Sequence, residues 1–131
     1  MTDTERARSF FKNDLYAVQA TGIEIIEARA GYAKCALKLE AKHKNAVGAV
    51  MGGVYFTMAD FAFAIASNLD QPTTVTQTSQ IVYLSPVKGS TLYAETERIR
   101  GGKHTCFYKI LLTDDTGTQI AYVTTSGYVV G

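Results

Sequence analysis

From Tyr32 to Glu40 polar and apolar residues alternate: Lys34, Lys38 and Glu40 stand against Cys35, Leu37 and Leu39. A period of two predicts a strand with one buried face. The Ile-rich run Ile23 to Arg29 precedes it across Gly31, so the two predict a hairpin. Upstream, Thr2 to about Asp14 predicts a short helix, with Thr2 and Glu5 at capping-box spacing and Phe10-Phe11 as an end that must pack somewhere. A break falls at Thr21-Gly22. Residues 41–50, polar and then small, predict an ordered loop in which His43 is read as a surface residue.

Met51 to Asn68 changes the rhythm. Alanines alternate with aromatics and Ile65 over a run too long for an ordinary strand. Apolar nearly all round, it predicts a buried helix that begins after Gly52-Gly53 and ends at Ser67-Asn68. From Pro72 onward every segment predicts strand: Thr73 to Leu84, Thr91 to Arg100, His104 to Thr113 and Thr118 to Val130. Turns at Gly101-Gly102 and Asp114 to Gly117 separate the later ones, and the four strands are expected to form a meander. About six strands share one long helix. The economical packing is α+β, an antiparallel six-stranded sheet wrapped around that helix. Its outer face and edges still need cover, which a second copy can supply.

The 131 residues fit one domain, 1–131, with residues 1–20 as an N-terminal helical segment. Hydrophobic residues at 47% and charged ones at 19% suit a globular chain rather than a disordered one. A net charge of +1 gives no reason to expect nucleic acid or a membrane surface as partner. Cys35 and Cys106 lack metal-type spacing and are expected as reduced, buried thiols. The polar N-terminus is no secretory leader, so the expected location is cytoplasmic.

Asp60 is the lone ionisable carboxylate of the apolar helix. If buried there, it needs a partner or a raised pKa. Both suit a catalytic acid, base or nucleophile, and both equally suit a core anchor bonded to an amide or an Arg. Gly48 to Gly53 leads into the same helix, whose first amides suit a polarised carbonyl; the glycines would equally serve a tight turn. Gly52 and Asp60 lie eight residues apart, roughly 12 Å along a helix. One reacting carbon cannot touch both on a single helix. If both act on one bond, they come from two chains whose helices run side by side and antiparallel.

These residues resemble a known signature. Asn45-x-x-Gly48-x-x-Met51-Gly52-Gly53, then Phe56 to Asp60 and on through Ala62-Phe63-Ala64-x-Ala66-Ser67-Asn68, is similar to the phenylacetate-pathway (PaaI-like) thioesterases of the hotdog superfamily. Tyr83-Leu84-Ser85-Pro86 with Gly89, and Arg98-x-x-x-Gly102-Lys103, also resemble that family, and the likeness runs from about Gly22 to Val130. The resemblance implies a hotdog fold, hydrolysis of acyl-CoA thioesters, homodimers that pair into homotetramers, no metal, and no cofactor beyond the CoA carried by the substrate. It implies that Asp60 is the nucleophile or the base that activates water, that the Gly52 amide polarises the carbonyl, and that Asn45 and Thr76 assist. Met51, Gly53 and Tyr83 are expected around the substrate, and Gly102 with Lys103 near the CoA phosphates, although a Gly-Gly-Lys turn is equally a solvated hairpin. Phe56, Phe61 and Phe63 stand as candidates for an acyl pocket or for plain core. Met51 replaces the family's usual His, which keeps open a protein that binds acyl-CoA without cleaving it. A hotdog dehydratase needs a His paired with a carboxylate, and no His stands at this position.

Overall fold

A computed structural model describes residues 1–131. Helix α1 (Asp3–Phe11) opens the chain, its Thr2 and Glu5 forming a reciprocal capping box. One turn of π-helix, Tyr16–Thr21, ends at Gly22 in the left-handed conformation, where the sequence predicts a break. Strands β1 (Glu24–Arg29) and β2 (Tyr32–Lys38) form the expected hairpin. A 3-10 turn, Ala41–His43, and a loop closed by the Lys44–Val50 bridge lead into α2 (Gly52–Asn68). Strands β3 (Thr74–Tyr83), β4 (Thr91–Gly101), β5 (Thr105–Asp114) and β6 (Gln119–Val129) complete the chain.

All six strands share one antiparallel sheet in the order β1-β2-β4-β5-β6-β3. The four-strand meander is therefore corrected: only β4, β5 and β6 follow one another. Strand β3 joins the far side of β6, and β4 instead pairs with β2. Local pattern fixes the strands but leaves this choice of neighbour open, because it depends on which strands can close around the helix.

The sheet curls about α2, which touches every strand. Met58, Ala59, Ala62, Ile65 and Ala66 are fully enclosed against Ala33, Cys35, Leu92, Ala94, Ile110 and Leu112. The alanines let the strands approach closely, and Phe63 packs edge-on against Tyr108 with ring centroids 5.4 Å apart. Burying some 27 apolar residues in one cluster is what drives the sheet to close. Both cysteines are free and buried within it, and burial pushes the Cys35 thiol up to about 12.

The two sheet edges are treated differently. Helix α1 covers β1: the Thr4 hydroxyl accepts from the Ala28 amide, and the Arg8 guanidinium donates to the Ile25 carbonyl. Strand β3 has no such cover and is exposed along most of its ten residues. It carries neither a charge nor a proline, the usual guards of an edge.

Candidate active site

Helix α2 was expected to bury all its faces, Asp60 included. Instead a stripe through Gly53, Phe56, Thr57, Asp60 and Ala64 faces away from the sheet, and Asp60 is exposed on the single chain. One sheet covers only the side of a helix that it wraps, so an all-round apolar helix leaves such a stripe for something else. Part of the carboxylate still sits against the protein. Burial and the Asp14 charge raise its pKa, while the nearby Thr76 hydroxyl pulls it partly back.

The expected site residues fall into two groups, one at the start of α2 and one from its middle onward. At its start, Met51 is the N-cap residue, makes no side-chain cap and is 58% exposed. The amides of Gly52 and Gly53 have no acceptor within the chain. The Tyr83 ring lies on Gly52 so closely that a Cβ there would sit 2.8 Å from the Tyr83 hydroxyl. Gly53 has open space around it, with only the tip of Met51 at 3.8 Å. The Asn45 side-chain oxygen accepts from the Val47 and Ala49 amides, each at 3.1 Å, which folds the loop before the helix. Its amide nitrogen makes no bond within the chain. A cleft of about 620 Å³ opens here between Lys44, Val50, Tyr55 and Tyr83.

The second group lies toward the helix end. The Asn68 side chain bonds both backbone groups of Thr74, so β3 runs antiparallel to α2 with Thr76 near Asp60 and Tyr83 near Gly52. Gly102 and the exposed Lys103 occupy the β4–β5 turn at this same end, since Thr105 faces Tyr128 on β6 and Tyr128 faces Val75 on β3. Asp60 and Thr76 are thus together, Gly52 and Tyr83 are together, and the two pairs are separated by half the length of the helix.

Two further expectations change. His43 is 3% exposed rather than on the surface. Its Nδ1 accepts from the Glu40 amide and its Nε2 donates to the Thr21 carbonyl at 2.7 Å, tying the π-helical turn to the loop before α2. Phe61 and Phe63 both belong to the core, Phe61 also bordering a small cavity beside Asp60, whereas Phe56 is half-buried. That cavity holds a residue the sequence did not single out: Asp14, presented by the turn before the π-helix. Only its lone charge beside apolar Leu15 and Tyr16 hinted at it.

Similarity to known proteins agrees with this geometry. The family model described as the thioesterase superfamily matches residues 47–121, from the glycine loop to β6. The acyl-coenzyme A thioesterase PaaI of Escherichia coli is 31% identical over 118 residues, covering 89% of this chain and 84% of that one. Human acyl-coenzyme A thioesterase 13 is 30% identical over 103 residues, or 76% of this chain and 74% of that one. The solved structure of the Escherichia coli PaaI protein from the phenylacetic acid degradation operon superposes with a TM-score of 0.89 at 27% identity, covering 99% of this chain and 97% of that chain. The hotdog sheet, its central helix and these sequence relationships together make the chain a member of the thioesterase superfamily, on its PaaI-like side.

Proposed function

We propose that the protein is an acyl-CoA thioesterase whose active sites are each built from two copies of the chain. The observation that carries this is the division of the site. The unpaired Gly52 and Gly53 amides and the Asp60 carboxylate lie on one helix, about 12 Å apart. The bare β3 edge supplies the remedy. If β3 pairs antiparallel with its own copy about a two-fold axis near the strand's middle, the Thr76 end of one strand meets the Tyr83 end of the other. Asp60 of one chain then approaches Gly52 of the second, and a dimer has two equivalent sites. The same pairing removes the unguarded edge and covers the open stripe of α2.

In such a site the thioester carbonyl oxygen accepts from the partner's Gly52 amide, at the positive end of the partner's helix. Asp60, ionised, takes a proton from a water that attacks the acyl carbon, or attacks that carbon itself; CoA leaves as a thiolate. The free amide nitrogen of Asn45 is available to orient the water, and Thr76 steadies the carboxylate. Met51 and Gly53 flank the carbonyl, and Tyr83 walls the cleft. Gly102 and Lys103 lie where the CoA phosphates would reach solvent. CoA is part of the substrate in this reading, and no further cofactor enters.

The test is thiol release from a panel of acyl-CoA esters, with Asp60→Asn as the comparison. The variant is expected to lose about 100-fold or more in kcat. Equal rates for the two proteins would refute the role of Asp60. Saturable acyl-CoA binding by wild type without product would favour the binding-only reading, which Met51 in place of the family His keeps in view.

A further inference from the structure

The cavity beside Asp60, about 270 Å³, has a wall that the thioesterase signature does not describe. The chain enters it from the end of α1 at Asp14, and the π-helical turn follows at once. A π-helical turn is rare and is frequently found at functional sites. Here it leaves Leu15 55% and Tyr16 72% exposed, directly across the cavity from Thr57, Asp60 and Phe61. Adjacent exposed apolar side chains rimmed by polar groups are a common mark of a ligand-binding groove. Tyr16 and Thr57 also border a second groove, lined in addition by Lys42 and His43, which continues along α2 to Met51 and Gly53.

Resting on the thioesterase reading above, we propose that the cavity beside Asp60 takes the acyl group of the substrate, with Leu15 and Tyr16 as its apolar wall and Asp14 as a charge that turns away acyl groups ending in a carboxylate. Asp14 and Asp60 line one small cavity and no cation stands among its lining residues, so a third negative charge there would be repelled from both. The nearness of the two is also seen in the influence of Asp14 on Asp60. The substrate class this selects is a neutral acyl-CoA with a hydrocarbon or aryl body.

The experiment measures kcat/KM for acetyl-CoA, hexanoyl-CoA and adipyl-CoA, the last two matched in length and differing in the terminal carboxylate. In Tyr16→Ala the ratio of hexanoyl to acetyl values is expected to fall about tenfold, chiefly through KM. In Asp14→Asn the ratio of adipyl to hexanoyl values is expected to rise about tenfold. Both side chains are exposed, so the fold should survive; Tyr16→Trp, which fills the cavity, should disfavour hexanoyl-CoA as well. Unchanged ratios in all three variants would overturn the proposal even if Asp60→Asn is inactive. Full activity of Asp60→Asn would instead overturn the thioesterase mechanism beneath it.

Discussion

At the scale of single residues, the raised pKa of Asp60 should be visible in the rate. The group must be ionised to act as base or nucleophile. Burial and Asp14 disfavour the ionised form, so kcat/KM should begin to fall at a pH above the ordinary carboxylate value of about 4. Thr76 favours the ionised form. Thr76→Val should therefore move the acid limb to higher pH, as a pH–rate profile would record. The same raised pKa has a stability consequence. An acid whose folded pKa lies above its unfolded value contributes stability below the unfolded pKa, and loses it as pH rises through the folded one. Asp60→Asn should accordingly unfold at the same temperature or higher at neutral pH while losing activity, a separation that a merely damaged fold would not give. Asp114 behaves oppositely. Burial alone would raise it, but the Thr116 hydroxyl and the amides of Lys88, Gly89 and Thr116 all donate to it and hold it well below the usual carboxylate range. Its stabilisation is present above the unfolded pKa and lost as pH falls through the acid range. Asp114→Ala should cost about 3 kcal/mol by denaturant titration, because a buried carboxylate that holds several partly buried donors is lost.

At the scale of elements, β3 invites the clearest test. Carboxylates placed at Thr78 and Gln80 would face each other, one from each strand, across a two-fold axis near the middle of β3. Thr78→Glu/Gln80→Glu should shift the protein toward monomer in sedimentation and lower its activity in proportion, while leaving far-UV circular dichroism intact. The elements themselves were legible in the sequence, since strand alternation, the Thr2–Glu5 box and the long apolar run each act over a few residues. What escaped were features set by distant neighbours. Placing β3 beside β6 depends on closing a sheet around α2. Burial of His43 depends on the Thr21 carbonyl, twenty-two residues away. The exposure of Asp60 depends on which side of α2 the sheet leaves bare. The candidate site was readable as two glycines and a carboxylate, whose spacing implies two chains if both act on one bond; Asp14 was not, because no local pattern ties it to α2.

At the scale of the whole molecule, the chain has one guarded edge, one bare edge and a helix stripe with no cover, and the two halves of the proposed site, Gly52 and Asp60, lie eight residues apart along that helix. The mechanism requires that these halves be completed by another copy. Gly52→Pro provides the partner lesion to Asp60→Asn: it removes one amide donor at a first-turn position that tolerates proline, after a residue already extended at ψ 134°. Tyr83, 56% exposed, has room to yield to the new ring. The most direct measurement is thiol release after the two inactive variants are unfolded and refolded together. Random pairing should restore about a quarter of wild-type activity, because half the dimers are mixed and each mixed dimer holds one intact site of two. Mixtures no more active than either variant alone would contradict a site shared between chains.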